Sequence, residues 1–238
     1  MNSRLPLFDL QAVASSNVAS SETISNIRVM RTQCNPHCQR CKRRASLRGQ
    51  GCMKGEFQSL KGQLLLDSGQ LRGSFFHRSV VLICHHHSDG AFGLVLNHPT
   101  DNKIGDVLVA DLPDSIKEER LYLGGPVQTS ALTYLHSDTF LPEANVMANL
   151  NMGHSLDDLQ DLATSFSTTR QLRCFAGYAG WTGGQLEAEM ERRAWLTHPA
   201  SLDLVFNHAD KELWKQILTK KGWQYRLLAD GPEDLSWN

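Results

Sequence analysis

The stretch GYAGWTGGQLEAEMERRAWL, from Gly177 to Leu196, joins the residue types that hold anions to those that start helices. The first amides of a helix have no partner within it, so glycines ahead of a helical run can aim free N–H groups at a phosphate. Here the residues that would do so are Thr182, Gly183, Gly184 and Gln185. A P-loop carries Lys and then Ser or Thr directly after its last glycine. In this chain Gln185 and Leu186 follow instead, and no GxGxxG run exists. The same residues also read as a capped turn. With Thr182 as N-cap, Gln185 falls at N3 and completes a Thr-x-x-Gln capping box, and Trp181 and Leu186 take the two places of a hydrophobic staple. Glu187 and Glu189 then lie near the positive end of the helix dipole. The capped turn gives every residue a structural task and is the preferred reading; the anion site is the alternative.

Metal chemistry has two candidate groups. Cys34, Cys38 and Cys41 have the x3, x2 spacing of an iron–sulfur motif. Together with Cys52, and with His37 nearby, they could instead form a zinc knuckle. The preferred reading is that none of the four binds metal. His85, His86 and His87 are consecutive, and in a strand the middle ring opposes the other two, so convergence on one ion requires a bend. A polar hairpin end is the simpler reading. No cofactor is expected.

Nucleophiles are poorly served. Ser79 lacks a G-x-S-x-G elbow. Cys84 sits in an apolar run with no cation specified beside it, and should be inert. His98, in Asn97-His98-Pro99, ends a strand and reads as structural rather than as a base.

The elements that must position these groups lie in a chain of 238 residues, 41% hydrophobic and 21% charged, enough for one sizeable core. The net charge of −1 hides an asymmetry. From Thr23 to Gly55 there are eight cations and no Asp or Glu, whereas from Glu56 onward acids outnumber bases by 23 to 15. Residues 1–55 show no sustained period and read as a basic, disordered extension, with Met53 as an alternative start and a plastid-type transit peptide as a weaker reading. Residues 56–238 read as one domain. No run is long and apolar enough to cross a bilayer, and no secretory signal is legible, which places the expected location in the cytosol.

Within that domain, GQLLLD reads as a strand, and SVVLICHHHSDGAFGLVLN reads as a hairpin turning at Asp89-Gly90. VVLIC lacks alternation and should be covered on both faces. LYLGGPV, ALTYLHSD, ANVMANLN, QLRCFAG and SLDLVFN read as further strands, with WQYRLL as an edge strand. Three helices are expected: one capped by Ser155, one after Thr182, and one from Asp210 to Gly222 with Leu213, Trp214, Ile217 and Leu218 as its stripe. The class that follows is α+β, a mainly antiparallel or mixed barrel-like sheet with about three helices packed on it.

Five blocks carry a family resemblance: GQLLLDSGQL, FFHRSVVLICHHHSDGAFGLVLNHP, LYLGGPVQ, FAGYAGWTGGQLEAEMERRAWL and SLDLVFN…LW. In this order the chain resembles the AlgH/YqgE family of bacterial proteins. The resemblance implies a compact α+β domain with a barrel-like sheet in the cytosol. Some members are linked by name to regulation of exopolysaccharide synthesis, and no catalytic residue is carried over. The chain departs from the usual pattern at Cys84-His85-His86, at Gly183 after Thr182, and at Arg72-Gly73.

The functional expectation is a non-catalytic regulatory or interaction protein with a protein partner. The alternatives are a hydrolase-like enzyme holding an anionic ligand at Gly183–Gln185, and a metal-binding N-terminal module. The basic leader is expected to touch nucleic acid weakly and without sequence preference.

Overall fold

The computed structural model describes residues 57–137, 145–164, 171–208 and 210–231. The four leader cysteines lie outside the described residues. From Ser59 onward the chain belongs to one compact unit.

Among the described residues, nine strands form one sheet: β1 (Gln63–Asp67), β2 (Val80–His87), β3 (Gly90–Val95), β4 (Pro99–Lys103), β5 (Arg120–Leu123), β6 (Val127–His136), β7 (Asn151–Gly153), β8 (Leu172–Thr182) and β9 (Trp195–Pro199). Their order is β4-β5-β8-β3-β2-β1-β9, with β6 on β8 and β7 on β6. Among the described residues only the β5–β8 pair is parallel, so the sheet is mixed and mainly antiparallel, and these strands do not close into a barrel. Seven helices occur among the described residues: α1 (Ile104–Val107), α2 (Asp114–Lys117), α3 (Leu156–Thr164), α4 (Gln185–Glu191), α5 (Leu202–Phe206), α6 (Leu213–Lys221) and α7 (Trp223–Ala229).

Unbroken apolarity in β1 and β2 reflects cover on both faces. Leu64, Leu66, Val80, Leu82 and Cys84 join one cluster with Val205, Trp214, Ile217 and Leu218 of α5 and α6. The alternate residues Leu65, Val81 and Ile83 join a second cluster with Trp181, Trp195 and Leu186 of α4. A third cluster, with Ile116, Tyr134, Leu159 and Cys174, fills the space under α1, α2 and α3.

The eleven-residue β8 is the hub. Its first half pairs with β5 and β6 and its second half with β3. Gly177 marks the change of partners with φ +72, a left-handed conformation that glycine adopts without strain. A Cβ on Gly125 would fall 2.0 Å from the Tyr178 carbonyl carbon, so the Gly-Gly-Pro turn after β5 is a close backbone approach.

Three strands expected from sequence take other forms. Residues Leu202–Phe206 are a helix because Ser201 caps them: its Oγ accepts the Leu204 N–H at 3.2 Å. WQYRLL lies in α7, which restarts the helix after Gly222 at φ +135. Most of ANVMANLN is a turn closed by a Met147–Leu150 bridge, with Asn149 at φ +59, and only its last residue enters β7. β9 lies at one edge of the sheet and follows Arg193, whose φ of +57 comes just after the end of α4. The Ser155 cap on α3 and the apolar stripe of α6 are as expected from sequence.

Candidate functional site

The corner where β8 meets α4 gathers much of the chemistry singled out in the sequence. Thr182 is the last residue of β8, paired with Gly90, and is not the N-cap. Gly184 occupies that place at φ +79, and no side chain caps the helix. The physical reason is the two-residue turn: Gly183 packs against the β2–β3 hairpin, where a Cβ would fall 2.7 Å from the Ser88 carbonyl oxygen. Half of the expected capping box survives. Gln185 Oε1 accepts the Thr182 N–H at 3.2 Å, but the Thr182 hydroxyl donates to the same oxygen at 3.3 Å instead of accepting an amide. The staple pair Trp181 and Leu186 is buried in one cluster. Thr182, Gly183, Gly184 and Gln185 are all exposed to solvent.

Behind this turn, side chains complete one another. Gln185 Nε2 donates to Glu189 Oε1 at 3.1 Å. Glu189 Oε2 accepts both indole N–H groups, from Trp181 at 2.9 Å and Trp195 at 2.8 Å. His86 is buried beneath the same helix. Its Nδ1 accepts the Leu60 N–H at 2.9 Å, which leaves Nε2 to carry the proton and donate to Glu187 Oε1, also at 2.9 Å. The histidine run therefore divides as its alternation requires, with His86 held inward and His85 and His87 on the other face.

Sequence spacing gave no warning of a second pair. Ser79 Oγ lies 3.0 Å from His98 Nε2, the arrangement of a nucleophile and its base. Yet Ser79 is 0% exposed and its hydroxyl also reaches the Phe75 carbonyl at 3.3 Å. Burial, with Lys211 adding to it, holds His98 below the ordinary imidazole range. The neighbouring polar groups hold the backbone together. Asn97 accepts the Val80 N–H at 2.8 Å and donates to the Arg78 carbonyl at 2.9 Å. Cys84 and Cys174 are fully buried, and burial pushes both thiols far above the usual range, so neither supplies a thiolate.

A third group was not read as a group from sequence because its members come from four strands and a loop. Phe92 of β3 and Tyr178 of β8 stack with centroids 4.8 Å apart, both half-buried. His85 and His154 flank Phe92 at 6.4 and 6.3 Å. The Thr133 hydroxyl meets His154 Nδ1 at 3.1 Å. Desolvation lowers both imidazole pKa values, assisted at His85 by Lys61, His87 and His154. Among the described residues, no three His, Cys, Asp or Glu side chains are placed to hold a metal ion.

Fold and site together define a class: a mixed-sheet α+β protein whose serine and cysteine candidates are sealed in the core and whose half-buried aromatics form a ledge. The particular family follows from comparison. The AlgH-like family, DUF179, matches residues 64–226. A UPF0301 protein of Pelodictyon phaeoclathratiforme is 36% identical over 185 residues, covering 76% of this chain and 97% of that protein. A UPF0301 protein of Chlorobaculum tepidum is 37% identical over the same length, with the same coverage. The solution structure of AlgH from Pseudomonas aeruginosa, at 30% identity, superposes with a TM-score of 0.59 over 74% of this chain and 98% of AlgH. A crystal structure from Corynebacterium diphtheriae, at 22% identity and a TM-score of 0.57, shares the fold, over 74% of this chain and 94% of its own. The chain belongs to the AlgH-like, UPF0301 family.

Proposed function

We propose that this protein acts by binding and not by turnover, as a cytosolic regulatory or interaction protein. The carrying observation is a contrast of access. The Ser79 hydroxyl and the Cys84 and Cys174 thiols are sealed, whereas Phe92 and Tyr178 are half-buried as a stacked pair with the His85 and His154 rings flanking Phe92. Aromatic groups with a polar edge supply binding area at low conformational cost, which suits a protein partner. Among the described residues, no helix is long and apolar enough to cross a membrane.

The test uses the full chain and two variants in the protein's own host. Phe92→Ser with Tyr178→Ser is expected to lose partners that co-purify with wild type and with Ser79→Ala. Hydrolysis of any ester or phosphoester by wild type that Ser79→Ala abolishes would overturn the proposal.

One observation favours a second reading, anion binding at Thr182–Gln185: all four residues are exposed. Stabilisation of the wild type by phosphate or a nucleotide, lost in Gly184→Ala, is its signature. The leader is taken as separable, so deleting residues 1–52 leaves the melting temperature within about 4 °C, on the order of 1 kcal/mol or less.

A further inference from the structure

Arg173, near the start of β8, is a buried cation whose hydrogen bonding is incomplete. It is 4% exposed. Its Nη2 donates to the Phe206 carbonyl at 2.7 Å, in the last turn of α5. The guanidinium lies over the Tyr122 ring, 4.9 Å from the centroid. Its Nη1 is buried with no hydrogen-bond partner. Among the described residues, no carboxylate forms an ion pair with it. Burial pushes the guanidinium pKa down to about 10, against Tyr122 and Glu119, which raise it, so the group is still a cation at neutral pH. An unmet buried donor costs its full desolvation, and a charged one costs more than a neutral one.

A second arginine stands beside it. In the parallel β5–β8 pair Leu121 is opposite Cys174 and Tyr122 is opposite Phe175, so one step back the register sets Arg120 next to Arg173. Alternation puts both on the face that carries Tyr122. On its other side Arg120 is paired with Lys103 of β4. Lys103, Arg120 and Arg173 therefore form a row of one sign across three strands, an arrangement that costs stability. Lys103 is relieved by an ion pair with Glu118. Arg120 is exposed and, among the described residues, forms no ion pair. Two guanidiniums in register, one with an orphaned nitrogen and one without a counter-charge, are arranged to share an anion.

We infer that Arg120 and Arg173 are the two arms of a binding site for a phosphate group, where β5 and β8 begin beside the last turn of α5. The number of acceptors decides between anions. One guanidinium fork takes both oxygens of a carboxylate, whereas a phosphate has oxygens left for a second arginine. Arg173 Nη1 donates to the inner side of the group and the Arg120 fork to the outer side. Tyr122 and Phe206, which contact the buried guanidinium, are both half-buried, so Arg173 lies one layer below the surface and a small terminal phosphate suits it. The site is distinct from the Thr182–Gln185 turn, which follows the other end of β8.

Thermal unfolding of the full chain in inorganic phosphate, against chloride at equal ionic strength, tests this. Titrated to about ten times the dissociation constant it yields, phosphate should raise the melting temperature by about 4 °C. Arg120→Gln, a change at the surface, should cut that shift to about 1 °C or less. Arg173→Met, which fills similar space without a charge, should abolish it. Gly184→Ala should keep the shift in full, which separates this site from the turn after β8. A full shift in Arg120→Gln or in Arg173→Met overturns the inference. So does a shift lost in Gly184→Ala and kept in the arginine variants, which would assign the ion to that turn. A chloride shift as large as that of phosphate overturns it too, as does no phosphate shift up to about 150 mM, the range of physiological salt.

Discussion

Two carboxylates organise neighbouring parts of the sheet, where Asp67 of β1 pairs with Trp195 of β9, and they do so by different means. Asp67, at the end of β1, is 0% exposed and serves the backbone. Its Oδ1 accepts the N–H groups of Gly69 and Leu71 at 2.8 and 3.1 Å, and its Oδ2 accepts that of Arg78 at 2.9 Å. Glu189, on α4, serves side chains, taking the indole N–H groups of Trp181 and Trp195. The N–H bonds that Asp67 accepts do not depend on which side chains the loop carries, and His77 Nδ1 adds a side-chain approach to Oδ2 at 3.5 Å. The α4 corner is held by bonds that do.

The largest expected effect follows from that difference. Asp67→Ala leaves three backbone donors without their acceptor and is expected to cost about 4 kcal/mol, with Asp67→Asn near half of that. Chemical denaturation measures both. A loss below that of Trp181→Ala would break the comparison, because the clamp would then matter less than the network it is contrasted with.

The same contrast explains what was legible beforehand. Unbroken apolarity disclosed β1 and β2 as covered on both faces, since the alternate residues of each strand face different clusters. The stripe of Leu213, Trp214, Ile217 and Leu218 disclosed α6. The helices α5 and α7 were hidden by β-favouring residues such as Val205, Phe206 and Tyr225, where a serine cap and packing overrode propensity. The helix after Thr182 was legible, but its first residue was not. A Thr-x-x-Gln spacing fits an N-cap as well as a strand end two residues further out. Only the approach of Gly183 to the Ser88 carbonyl separates the two. Ser79–His98 and the Phe92–Tyr178 ledge depend on strand order and leave no local pattern.

Trp181→Ala should come second. The ring is 7% exposed, packs near Phe76 and Trp195, and donates to Glu189. Its loss is expected to cost about 3 kcal/mol through the cavity it leaves. Glu189→Ala should come third, at about 2 kcal/mol, because two indole donors lose one shared acceptor. Measured together, Trp181→Ala and Glu189→Ala should sum to less than their separate losses, since they remove one bond in common. Full additivity would mean that the indoles find other acceptors, and that the corner is not a network.

The smallest effects sharpen the comparison at the turn itself. An N-capping threonine is worth about 1 kcal/mol, but this requires its oxygen to accept an amide. Thr182 does the reverse: its hydroxyl donates to Gln185, and its N–H makes the bond that survives any side-chain change. Thr182→Ala is therefore expected to cost at most about 0.5 kcal/mol, because the exposed Gln185 oxygen that loses the hydroxyl accepts from water instead. Gly184→Ala should cost more, about 1 kcal/mol, although a Cβ there meets nothing within 4 Å. The penalty comes wholly from φ +79, which an L side chain tolerates poorly. Paired denaturation curves for the two variants settle the order. If Thr182→Ala proves the more damaging, the threonine is the cap after all, and the corner is held by a capping box in place of a glycine turn.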